Sequence, residues 1–361
     1  MPEMLVHGAA PYNAEPDRAR LAARLVTDND VFYVRCHGDV PALDEATHRL
    51  RVDGLVRSKL DLSMHELNTR FTQVACEAVL QCAGNRRADM QGVRPTSGDP
   101  WQVGAIGNAR WQGVRLADVL DAAGAAGIDR ADASLHVAFE CLDHCTVDGE
   151  RFRYGASIGL PKALSPDVLL ATGMNGVPLP PEHGFPLRLV VPGYAGVRSP
   201  KWLSRITVQT TPSDNPIQAR DYRLLPPDVS AEAIDWSRGF AIEEMPVNAA
   251  ICVPAPFAAL PEGPVTIEGW AMASSRSIVR VDVSADGGRV WHQAALRRSQ
   301  DGGARSWTLW RIGLALGRGR HELVVRAWDA AGQTQPSDVA EIWNVKGYLS
   351  NAWHRVQVEV G

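Results

Sequence analysis

Apolar and polar positions follow two textures along the chain. From about Val31 to Thr211, short apolar runs such as "VACEAVL", "LHVAFECL" and "PLRLVVPG" alternate with brief helical patterns and many Gly/Pro breaks. Runs of that length fit buried strands, and the interleaved spacing of three and four fits short helices, so the pattern predicts a mixed α+β domain. Ser63 and Glu66 in "LSMHELNTRF" have capping-box spacing, in which each side chain satisfies an orphan backbone N–H at a helix start. Leu116, Val119, Leu120 and Ala123 recur at helical spacing and stop at Gly124.

After "TPSDNP" the period changes to two. "VTIEGWAM", "IVRVDVSADGGRVW", "WTLWRIGLAL" and "HELVVRAWDAAG" are strand-length segments separated by Gly/Asp turns. In the second, Val279, Val281 and Val283 are expected on one face and Arg280, Asp282 and Ser284 on the other, with "ADGG" as hairpin turn. Such strands bury their apolar faces against a second sheet, which predicts an immunoglobulin-like β-sandwich. The expected organisation is an N-terminal extension over 1–30, a catalytic domain over 31–212 and the sandwich over 213–361.

Composition narrows the function. The 361 residues suffice for two cores. A formal charge of −4, from 37 basic and 41 acidic residues without long runs, points away from nucleic acid and anionic membranes. No apolar stretch approaches the roughly 20 residues that span a bilayer, and the first 20 residues lack the apolar centre of a signal peptide. The expected location is cytoplasmic, or periplasmic if a leader has been removed. Six cysteines (Cys36, Cys76, Cys82, Cys141, Cys145, Cys252) are too few and too uneven for a disulfide scaffold. "ECLDHCT" invites a zinc reading, but a second ligand pair is missing nearby.

The stretch "LQCAGNRRADM" carries a different chemistry. Buried structural thiols usually keep apolar company. Here Arg86 and Arg87 follow Cys82 closely and would favour its thiolate, the form that attacks electrophiles or binds metals.

With "DNDVFYVRCHGDVP", "EHGFPLRLVVPG", "RSPKWL" and the terminal "NVKGYLSNAWHRV", in that order, this stretch resembles the sulfite oxidase family of molybdenum enzymes, which includes the eukaryotic nitrate reductases. The resemblance implies a molybdopterin-binding domain of the sulfite oxidase fold followed by a dimerisation sandwich, in a haem-free chain of bacterial or plant-like type. It also implies a molybdenum cofactor, a twofold homodimer, and a separate electron acceptor such as a cytochrome, another carrier or oxygen. The implied reaction oxidises sulfite to sulfate; the alternative is nitrate or another sulfur compound in the same fold.

Residue by residue, the resemblance makes Cys82 the molybdenum ligand, a soft sulfur beside the pterin dithiolene. It makes His37, Asp143, His183, Arg188 and Lys201 anchors of the pterin or its phosphate, where Arg offers a fork and Lys a point charge. Arg35, Arg87, Trp101 and Tyr222 match oxoanion-pocket positions, a locally positive pocket in an acidic protein. Two positions depart from the pattern. Lys346 stands where sulfite-oxidising members have arginine, and Cys36 where relatives commonly have asparagine.

Overall fold

The structure, a computed structural model, describes residues 4–125, 132–147 and 149–361. Its first half is a mixed α+β unit built on two five-stranded sheets. In one, the long antiparallel pair Gln73–Gln81 and Ile106–Arg115 extends through Leu169–Met174. In the other, Leu203–Gln209 lies between a parallel neighbour, Arg49–Gly54, and the antiparallel pair His136–Val147 and Glu150–Gly159. Short helices fill the faces. Met64–Arg70 starts with the reciprocal Ser63/Glu66 capping box, and Leu116–Ala122 buries Leu116, Val119 and Leu120 before Gly124 turns the chain at φ +82°.

The N-terminal residues are woven into this unit. Met4–Ala9 and Tyr12–Pro16 form a hairpin whose second strand pairs with Val34–Arg35. Buried Glu15 accepts hydrogen bonds from the amides of Gln102 and Gly104, and Asn13 accepts one from the Cys36 amide. Both are local determinants of the site that sequence reasoning did not single out.

The second half is a sandwich of a four-stranded and a five-stranded sheet around a core that includes Ile251, Ile267, Val281, Val283, Leu323, Val325 and Val356. One strand departs from simple alternation. A register shift between Ile278 and Arg280 turns Val279 outward, to 48% exposure. Asp282 and Ser284, expected on the polar face, are wholly buried: Asp282 accepts from Arg280 at 2.7 and 2.8 Å, and Ser284 Oγ donates to Asp286. Satisfied hydrogen bonds let polar groups occupy core positions.

The halves share packing. Trp270 Nε1 donates to the Val103 carbonyl and Trp307 Nε1 to that of Leu25, and both rings belong to the apolar core that fills the first half. Among the described residues no helix is long and apolar enough to cross a membrane.

Candidate active site

The loop leaving strand Gln73–Gln81 carries the thiol. Cys82 N donates to Ala105 O, Asn85 N to Cys82 O, and Asn85 Oδ1 accepts from Ala105 N, so the turn is pinned on both sides. Gly84 N donates to Cys82 Sγ at 3.4 Å.

The two arginines that follow diverge, which corrects their joint assignment to the thiol. Arg86 takes left-handed backbone (φ 64°), and its buried guanidinium reaches Asp89 at 2.8 Å and Asn248 Oδ1 at 2.8 Å, a tie into the second half. Arg87 lies in a slot walled by glycines: a Cβ would come within 2.5 Å of it at Gly84, 2.9 Å at Gly98 and 2.5 Å at Gly347. Its Nε donates to Lys346 O and its Nη1 to Asp99 O, while Nη2 has no acceptor among the described residues.

A partly open cleft, with about 630 Å³ of atom-free space including its mouth, is lined by Cys82, Arg35, His37, Asp143, His183, Arg188, Lys201 and Tyr222, with Tyr33, Tyr154 and Trp202. Arg188 donates to the carbonyls of His183 and Ser199 with its guanidinium 4.8 Å from the Trp111 ring centre. Lys201 Nζ reaches Arg35 O, Glu182 O and, at 3.2 Å, Cys36 Sγ. Arg35 donates to Asn13 Oδ1 and Cys36 O. None of Arg35, Arg87, Arg188 and Lys201 has an ion-pair partner among the described residues.

The field of these cations is visible in their neighbours. Burial, then Arg35 and Lys201, push the His37 imidazole well below its ordinary range. Burial, Lys201 and Arg188 push His183 down to about 3. Both rings are therefore neutral at physiological pH, able to donate at one nitrogen and accept at the other. Burial pulls Arg188 down to about 10 and lifts the Asp143 carboxyl to about 6.

Tyr222 closes the cleft. It follows a π-helical turn, Ile217–Asp221, sealed by a bond from Tyr222 N to Ile217 O at 2.9 Å, an irregularity often found at functional sites. Its hydroxyl sits 2.7 Å from His37 Nε2, and burial raises it to about 12 although Arg35 opposes the rise. The phenol thus keeps its proton and can donate to an anion.

Three expected site residues lie outside this lining. Arg87 occupies its glycine-walled slot. Trp101 is wholly buried, its ring 4.7 Å from that of His7, and its carbonyl accepts from Ala88 in the helix that begins at Arg87. Lys346 Nζ lies 3.9 Å from Asp221 Oδ1 and 5.5 Å from the Trp236 ring centre. Of the cysteines flagged for zinc, Cys141 and Cys145 are buried on strand His136–Val147 and His144 between them is exposed.

The donor set fits an anionic, sulfur-bearing cofactor. Cations without counter-charges surround the space, Asp143 Oδ1 is buried without a partner, and one soft thiol faces the same volume. A ring system with amide-like donors would satisfy Asp143, a phosphate would satisfy Arg188 and Lys201, and the thiol suits a soft metal.

Comparison with known proteins agrees with that chemistry. Residues 37–217 match the family described as "Oxidoreductase molybdopterin binding domain" and residues 239–361 the "Mo-co oxidoreductase dimerisation domain". The chain is 45% identical to the sulfite oxidase of Gallus gallus over 98% of its own length and 77% of that protein's. It is 38% identical to the sulfite oxidase of Arabidopsis thaliana, covering all of this chain and 95% of the plant protein. Its fold is similar to that of the sulfane dehydrogenase SoxCD from Paracoccus pantotrophus, with a TM-score of 0.80 and 25% identity over 98% of this chain and 86% of that one.

Proposed function

We propose, from the premise that this chain belongs to the sulfite oxidase family of molybdopterin oxidoreductases, that it oxidises sulfite to sulfate. The observation that carries the reading is that Arg188, which is buried, and Arg35 and Lys201, which are half-buried, line one cleft with Cys82 and have no ion-pair partner among the described residues. A protein does not hold several desolvated positive charges together unless an anionic group or substrate completes them.

The residues divide by what they can hold. Arg188 and Lys201 would bind the cofactor's phosphate, His37, His183 and Asp143 its ring system, and Cys82 its metal. Once bound, the molybdenum group supplies oxygen-atom transfer and takes up two electrons. The chain's own task is placement and charge compensation. Arg35 and the open Nη2 edge of Arg87 draw in a small oxoanion, and the protonated Tyr222 hydroxyl, held by His37, donates to one of its oxygens. Buried apolar neighbours keep bulk water away and strengthen each of these contacts.

Electrons would leave to a separate carrier, and two copies of the chain would associate through the sandwich. The test is a turnover assay of the molybdenum-loaded chain with sulfite, nitrate and a sulfane substrate, using artificial electron acceptors and donors. Sulfite oxidation with about one molybdenum per chain is expected. Turnover of nitrate or the sulfane alone would overturn the substrate, and cofactor-competent expression without bound molybdenum would overturn the reading of the cleft.

A further inference from the structure

The segment 344–349, from the second half, is folded against both arginine slot and cleft. Asn344 clamps it, accepting from the Tyr348 and Gly347 amides and donating to Tyr348 O. Leu349 N then donates to Ala83 O, next to Cys82, at 2.8 Å. The clamp delivers one buried ring, Tyr348, to a point between two groups that the oxoanion reading assigns to substrate, Tyr222 and Arg87. Its centroid is 5.1 Å from that of Tyr222 with the planes 17° apart, and 5.3 Å from the Arg87 guanidinium carbon.

That ring is the contact the two groups share. Arg87 is held along Nε and Nη1 while its Nη2 edge has no acceptor among the described residues, and the Tyr222 hydroxyl has one partner, His37. A stacked ring sets the tilt of a phenol, and a π-face beside a guanidinium sets its plane.

We propose that Tyr348 is a positioning residue that holds Arg87 and Tyr222 in mutual register for a single small oxoanion, and so sets how tightly the cleft takes its substrate. The inference rests on the oxoanion reading above and adds a residue to it. Tyr348 need not touch substrate. It lines the outer groove beside Trp343 and Leu225, whereas Tyr222 lines the inner cleft, so the stacked pair joins the two linings. A ring without a hydroxyl should serve as well, since the contacts are made by its faces.

The test measures sulfate, the product oxoanion, binding to the molybdenum-loaded chain by calorimetry, together with sulfite kinetics. Arg87→Met, Tyr348→Met and Tyr348→Phe are compared with the parent, each checked by thermal melting. Tyr348→Met should weaken sulfate binding and raise KM for sulfite by about tenfold while kcat changes less than about twofold, and Tyr348→Phe should restore both. Tyr348→Leu supplies the same comparison if the Met variant melts below the assay temperature. Parent-like sulfate affinity in the ring-free variants, or a Phe variant as weak as Met, overturns the positioning role. If Arg87→Met also binds sulfate like the parent, the oxoanion reading fails instead, so the two failures are distinguishable.

Discussion

Lys346 Nζ stands 3.9 Å from Oδ1 of Asp221, the residue directly before Tyr222, with both side chains mostly covered. The lysine therefore acts beside the cleft, balancing a carboxylate that would otherwise stand next to the phenol and repel an incoming anion. Arginine would keep that contact; methionine would remove it.

Lys346→Met is accordingly expected to raise KM for sulfite by roughly fivefold, equivalent to about 1 kcal/mol for one half-buried charge contact. Lys346→Arg should stay within about twofold of the parent, because charge rather than fork geometry is what Asp221 requires. Steady-state kinetics at low salt, where the contact is least screened, measure the difference. A Met variant with unchanged KM would show that Asp221 does not reach the substrate's field.

Gly347 tests the arginine slot. It has φ +61°, and a Cβ there would lie 2.5 Å from Arg87 Cγ and 3.1 Å from Cδ, the middle of a pinned side chain. Gly347→Ala should cost about 1–3 kcal/mol from backbone strain alone and push Arg87 off Asp99 O. Both a lower melting temperature and weaker sulfate binding are expected; parent-like binding would mean the slot can widen without moving the guanidinium.

Cys82→Ser separates holding the cofactor from using it. The substitution is nearly isosteric in a turn fixed by backbone bonds, so melting should change little, by about 1 kcal/mol or less. The proposed phosphate and ring anchors, Arg188, Lys201, His183 and Asp143, are untouched, so released pterin measured by fluorescence should stay near parent levels while sulfite turnover is lost. Near-parent turnover would remove Cys82 from the ligand set.

How far these residues were legible depends on the range of their interactions. The capping box at Ser63 and the helix ending before Gly124 are local, and local pattern carried them. Cys82, Arg188 and Lys201, which line one cleft, could be singled out because short motifs surround them. Arg86 misled because its guanidinium is captured by Asn248, 162 positions away, a pairing that no window contains. Asn13 and Tyr348 were missed for the same reason: each matters through a partner from a distant segment, Cys36 and Tyr222 respectively. Val279 failed differently, since a bulge resets alternation without leaving a sequence mark.

Asp143 and His183, both in the cleft, titrate with opposite effects on stability. Burial raises the Asp143 carboxyl from 3.8 to about 6, so between those values the folded chain keeps a proton that the unfolded chain has released. Its stabilising contribution is present below about pH 4 and is lost as pH rises through 6. His183 has the opposite sign. Burial, with Lys201 and Arg188, takes it from 6.5 to about 3, so its contribution is present above about pH 6.5 and is lost as pH falls toward 3. In the cofactor-free chain the two slopes offset each other between pH 4 and 6. Asp143→Asn removes the first: two units at about 1.4 kcal/mol each give a gain of up to about 3 kcal/mol at pH 7, shrinking to nothing near pH 4. Melting of the cofactor-free parent and variant at both pH values measures this, and the variant should show stability that climbs more steeply with pH because the His183 slope is no longer offset. An Asn variant no more stable than the parent at pH 7 would mean that Asp143 is already compensated. A gain there would instead mark a carboxyl kept in the cleft against the interest of the empty chain, as expected of a group whose partner is the cofactor.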